Sequence, residues 1–217
     1  MNNVPFTLSQ VRPIRDAMTV SRPSGLGYGV PVTWFSLGAG TSITPEYYDC
    51  TTLYLGGEGN GKFLLGVDGQ EVSVKPGEVL YVPPKMLCGC LTDSGMIYTE
   101  IILKKENFTM NNILKAGQPT ELKNLISYEE GSIANLDIAH ADNMKFVLMA
   151  FDEGTGLTPH RAPGNAILTA LEGKAIIGYE GKDYELNAGE SFRFDKNGLH
   201  SVTAQGKFKM SLLLVIE

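Results

Sequence analysis

The chain is short of the features that would assign it quickly. Its 217 residues include only three cysteines, Cys50, Cys88 and Cys90. An odd, small number excludes a disulfide-stapled scaffold and fits a reducing compartment. Cys88-Gly89-Cys90 is not a C-x-x-C metal or redox pair, although on a strand both thiols would share a face. Lys and Arg total 18 against 24 Asp and Glu, a formal net charge of -6. Scattered as they are, these cations exclude a nucleic-acid backbone partner and a polybasic membrane patch. Apolar runs such as the terminal "SLLLVIE" are too short to span a bilayer. The opening "MNNVPFTLSQVRPIRD" lacks a basic region followed by an apolar stretch, so a cytoplasmic location is expected. Only three histidines are present, which makes the position of each informative.

What is present is repetition. "ITPEYYDCTTLYLGGEG" (43–59) parallels "LTPHRAPGNAILTALEG" (157–173), each with Thr-Pro near the start and Glu-Gly at the end. The following "GKFLLGVDGQEVSVKPGEVLYVPPKMLCGC" parallels "GKAIIGYEGKDYELNAGESFRFDKNGLHSV" in the same order, once Asn60-Gly61 is treated as an extra pair in the first copy. Both copies read as short strands separated by turn residues, the pattern of a sandwich or barrel. Asp68-Gly69 and Glu180-Gly181 are placed for hairpin turns. Gly173 and Gly189 mark further turns, and Pro163-Gly164 a tight one. Helix signals are few and lie between the copies, in "MNNILKAG" and "PTELKNLISYEEG". The expected organisation is a first barrel over 1–105 and a second over 106–217, its core starting near residue 143.

The duplicated frame resembles the cupin superfamily, specifically a bicupin with two tandem barrels. The family's first motif places two histidines one residue apart, then a glutamate, between glycines; its second supplies a last histidine. The second copy follows this frame through Gly154, His160, Gly173, Gly189 and His200. It also resembles small single-domain bacterial cupins with an H-x-A-P-G motif, here His160 to Gly164. The resemblance implies an all-β fold of two double-stranded β-helix (jelly-roll) barrels, with short helices between them. It also implies a divalent metal (Zn, Ni, Mn or Fe) inside a barrel.

Carried over by position, His160 and His200 hold the first and last histidine places, while Ala162 and Ala166 replace the second histidine and the glutamate. In the first copy the matching residues are Glu46, Tyr48, Thr52 and Cys88, a degenerate set without histidine. His160 and His200 are therefore the expected catalytic pair and the candidate metal ligands, while a Glu46/Cys88 pair could bind zinc in principle but has no further support. Arg161, Asn165, Ala162 and Ala166 are the expected substrate-pocket residues. Arg193, between Phe192 and Phe194, is expected to face outward, and His140 lies outside both motifs. Two readings stay open. One is an enzyme acting on a small polar metabolite, an isomerase, lyase or dioxygenase, with weakly held metal or none. The other is a non-catalytic small-ligand binder whose first barrel is structural. Either way the barrels are expected to pair within the chain, with a homodimer as a further option.

Overall fold

The computed structural model describes residues 3–104 and 108–216. The first copy forms β1 (Thr19–Pro23), β2 (Val32–Leu37), β3 (Thr41–Glu46), β4 (Thr51–Gly59), β5 (Gly61–Leu65), β6 (Gln70–Val74), β7 (Glu78–Val82), β8 (Cys88–Thr92) and β9 (Met96–Leu103). The connection contributes β10 (Phe108–Met110) and β11 (Pro119–Glu121). The second copy forms β12 (Ile133–Ala141), β13 (Met144–Phe151), β14 (Gly156–Arg161), β15 (Asn165–Glu172), β16 (Lys174–Tyr179), β17 (Lys182–Asn187), β18 (Ser191–Phe194), β19 (Leu199–Ala204) and β20 (Phe208–Val215).

Each copy makes a jelly roll from a large and a small sheet. The large sheets run β1-β2-β9-β4-β7-β11 and β10-β12-β13-β20-β15-β18; the small ones run β3-β8-β5-β6 and β14-β19-β16-β17. All paired strands are antiparallel. The matching order β2-β9-β4-β7 and β13-β20-β15-β18 bears out the duplication. Tyr179 pairs with Lys182, so Glu180-Gly181 is a two-residue turn with positive φ at both positions (46° and 80°), the type I′ form. In the first copy Leu65 pairs with Gln70 instead, and Asp68-Gly69 belongs to a four-residue loop.

The connection departs from expectation. "MNNILKAG" forms turns, and "PTELKNLISYEEG" contains a short strand and a single 3-10 turn at Leu122–Asn124. The strand Pro119–Glu121 joins the first barrel, pairing Thr120 with Val79 at the free edge of β7. At the N-terminus, Pro5-Phe6-Thr7-Leu8 mirrors this segment. Phe6 bridges Ser191 at the corresponding edge of β18, and a short helix, α1 (Leu8–Val11), follows. Each copy thus lays its leading arm along the sheet edge of the other copy. Open sheet edges offer unpaired backbone groups, and the exchanged arms satisfy them. Phe6 is buried edge-on against Trp34, and Arg12 lies over the same indole.

The large sheets pack face to face. Leu53, Val79 and Ile101 from the first meet the cluster of Phe146, Leu148 and Leu213 from the second. Each large sheet is therefore apolar on both faces, one toward its own barrel and one toward its sibling. That explains the nearly unbroken apolar sequence of "MKFVLMAF" and "FKMSLLLV". Two further cores fill the barrel interiors. Phe146, 1% exposed, lies in the shared core. Phe146→Ala is expected to destabilise the whole chain by about 3–5 kcal/mol, seen in urea denaturation as one cooperative transition at lower midpoint.

Candidate functional site

Three strands place the histidine pair. β14 and β19 pair with His160 directly opposite His200 and Arg161 opposite Leu199, after an irregularity between Leu157 and His160. Opposite residues of an antiparallel pair share a face, so the rings meet. Their centroids are 4.3 Å apart. From β18, Phe194 stacks on His200 at 4.2 Å and 23°. His200 is 7% exposed, whereas His160 is open to solvent.

Both imidazoles are held the same way. His160 Nδ1 lies 2.9 Å from the Thr158 carbonyl, and His200 Nδ1 lies 2.8 Å from the Gly198 carbonyl. A carbonyl oxygen only accepts, so each Nδ1 must carry the proton. In the neutral ring the Nε2 lone pair is then free, the form suited to accepting a proton. Burial lowers the His200 pKa from 6.5; the Gly198 carbonyl opposes this and His160 reinforces it. His200 is therefore held as a neutral imidazole.

The other expected pocket residues separate into distinct roles. Arg161 lies exposed on the rim, donating to the Asn197 carbonyl and 3.6 Å from Glu180. Asn165 links the two copies and borders a cavity with Gly25, Tyr28 and Thr33 of the first. Its amide donates to Leu26 of the first copy, and its oxygen accepts from Lys196 N–H. Ala162 is half-buried, and its carbonyl accepts from Asn197 N–H. Ala166 is 2% exposed and opposite Phe194, whose ring takes up the room a smaller side chain leaves. Arg193 does not point to open solvent. It is paired with Asp195 at 3.0 Å and donates to the Ser24 and Gly25 carbonyls, tying the second barrel to the first.

The first barrel differs at the equivalent place. Glu46 faces Cys88 across β3 and β8, as His160 faces His200. Thr52 is buried opposite Val82, where the second barrel has Ala166 opposite Phe194. Thr52 does not line the opening. With a valine in place of the phenylalanine, a cavity of about 40 Å³ remains, lined by Glu46, Tyr48, Tyr54, Cys88, Cys90, Tyr98 and Glu100 together with Phe35 and Phe63. Glu100, Tyr54 and Tyr98 escape motif reasoning because they stand outside the family's ligand positions. A carboxylate within "MIYTEIIL" is the signal that could have found them.

Glu100 is 6% exposed, and burial raises its pKa from 4.5 to about 7, with a hydrogen bond from Tyr54 opposing and Glu46 adding to the rise. Burial also pushes the Cys88 thiol up to about 12 and Cys90 to about 11. Both thiols stay protonated at neutral pH, which makes them poor nucleophiles.

Residues 147–216 match the family described as Cupin domain (Cupin_2). No curated protein matches the chain. Among solved structures, the chain is similar to a cupin 2 conserved barrel domain protein from Leptotrichia buccalis. That likeness has 24% identity, a TM-score of 0.83, and covers 97% of this chain and 95% of that one. It is also similar to salicylate 1,2-dioxygenase from Pseudoaminobacter salicylatoxidans in its adducts with gentisate. Here identity is 12%, the TM-score 0.67, and coverage 98% of this chain and 81% of that one. These likenesses are of fold.

The raised Glu100 pKa links stability to pH. The folded protein holds this proton more tightly than the unfolded chain, so the stabilisation is complete below about 4.5 and lost as pH rises through about 7. The difference is about 3 kcal/mol. His200 acts oppositely, its cost growing as pH falls below 6.5. Urea denaturation of E100Q against the parent across this range isolates the Glu100 contribution. The expected result is a stability difference that shifts in favour of E100Q as pH rises.

Proposed function

We propose that this chain, whose second barrel carries a cupin domain and whose two halves share the tandem cupin fold, moves a proton on a small polar metabolite through His160 and His200. The observation that carries the reading is the shared tethering of both Nδ1 atoms, which leaves two Nε2 atoms free on adjacent rings. His200, desolvated and neutral, is suited to act as the base. His160, in contact with water, is suited to exchange the proton and return it as the acid. Abstraction beside a carbonyl followed by return is an isomerisation or epimerisation; return to a leaving hydroxyl is a dehydration. Arg161 at the rim is placed to meet an anionic end of such a substrate.

The fold family implies a metal, but the donor set does not fit a resident one. Catalytic zinc sites use three protein ligands, and non-haem iron sites two histidines and a carboxylate. The second barrel supplies two imidazoles, and alanines stand where the remaining ligands would be. Among the described residues, no group of three or more His, Cys, Asp or Glu is placed to hold a metal ion. The chemistry assigned to the pair therefore uses the imidazoles themselves.

A second reading, a ligand-binding protein without turnover, is favoured by Phe194 covering one face of His200. In both readings the domains follow the duplication, 1–105 and 106–217, each lending its arm to the other, and the protein works in the cytoplasm. No helix among the described residues is long and apolar enough to cross a membrane. The chain uses its own large sheets to pair its barrels, so a homodimer would form through another surface.

The test is deuterium exchange into a panel of small hydroxy and keto acids and sugars, followed by NMR. His160→Ala and His200→Ala are each expected to lower exchange by about 100-fold or more, and chelator treatment to leave it unchanged. Full activity in both variants would sink the proton-transfer reading. Ligand-induced stabilisation with no exchange would establish the binding reading instead.

A further inference from the structure

The first barrel's interior carries groups that its fold does not require. Tyr54 pairs with Glu100 across β4 and β9, and the same pairing in the second barrel is Leu168 with Leu212. Phe35 faces Tyr98 where the second barrel has Met149 facing Met210. The sibling shows that this architecture packs with apolar side chains at those places. Burying a carboxyl instead costs stability unless something compensates it. No ion pair among the described residues involves Glu100 or Glu46. Every ionisable group lining the cavity is an acid: two carboxyls, three phenols and two thiols. No lysine, arginine or histidine lines it. What the cavity lacks is a positive charge.

We propose that the first barrel's cavity is a binding site for a small organic ammonium ion, neutralised by Glu100 and surrounded by the rings of Phe35, Tyr54, Phe63 and Tyr98. These rings form one cluster with neighbouring centroids 4.9–5.8 Å apart. A carboxylate among aromatic rings suits an organic cation, which gains from both. Three-ligand metal geometry is not available there among the described residues. The volume, about 40 Å³, admits a few waters or a short alkylammonium group. Glu46 and Tyr48, on the strand and loop nearest solvent, border the opening. This site does not depend on the histidine pair.

Binding has a proton signature. When the cavity is empty, Glu100 is partly protonated near neutral pH, with Glu46, Tyr48, Tyr54, Tyr98, Cys88 and Cys90 around it. A bound ammonium converts the carboxylic acid to carboxylate and releases that proton to solvent. The released fraction rises as pH falls below about 7.

The experiment is calorimetric titration of the full chain with methylammonium, ethylammonium and ethanolammonium in two buffers of different ionisation enthalpy. Ethanol and acetate serve as neutral and anionic controls. The expected result is saturable binding of at least one cation with Kd below about 10 mM, with proton release and no binding of the controls. E100Q is expected to weaken binding at least about tenfold and abolish the proton release. E100L, which copies Leu212 of the other barrel, is expected to keep or raise the melting temperature and fail to bind. The proposal is overturned if no cation saturates, if ethanol binds as tightly as the cations, or if E100Q and E100L bind as the parent does.

Discussion

The packing of one large sheet against the other is the constraint on which the rest of the molecule depends. It demands strands that are apolar on both faces, and it places β4 and β9 against β13 and β20 in one shared core. It also leaves the outer edges of β7 and β18 close to the opposite copy. The arms led by Pro5 and Pro119 are thereby drawn across to close those edges. Asn165 and Arg193 add hydrogen bonds from the second barrel to backbone carbonyls of the first. These polar links sit at the rim of an apolar interface, where they fix register more than they add stability.

Within that common frame the two interiors have been filled by opposite means. In the second, Phe192 and Phe194 are almost fully buried and take up the space beside His200. In the first, Leu80 and Val82 occupy the matching positions and leave room for a tyrosine-lined opening around Glu100. One barrel carries imidazoles at its mouth and hydrocarbon within. Its sibling carries a carboxyl within and no imidazole at all.

Much of this was legible in the sequence where it was local. Turn residues at matched places disclosed the duplication, and the frame from His160 to His200 brought those rings together because strand pairing is set by spacing. The arm exchange was not legible. Pro119–Glu121 is too short to be read as a strand, and its partner is chosen by the interface between barrels. The bond of Asn165 to Leu26 was not legible for the same reason: it exists only once the barrels dock. Glu100 lies outside the ligand positions of Glu46 and Cys88, although a lone acid in an apolar strand, where the second copy has Leu212, is itself a physical anomaly. The type I′ turn at Glu180-Gly181 was readable from its place in the repeat, where the first copy has Asp68-Gly69. The Asp68-Gly69 loop was not, because Gly66 leaves the β5 strand two residues earlier.

The exchanged arms have an evolutionary consequence. In a symmetric dimer of identical chains, every substitution appears twice, once in each barrel, and a change that empties one pocket empties both. Joining the copies into one chain, with each still clasping the other, frees the two pockets from that symmetry. A histidine can be kept in one and lost from the other without dismantling the pair. The barrel that gives up the inherited chemistry remains held in place by its sibling while its interior is rebuilt around different groups.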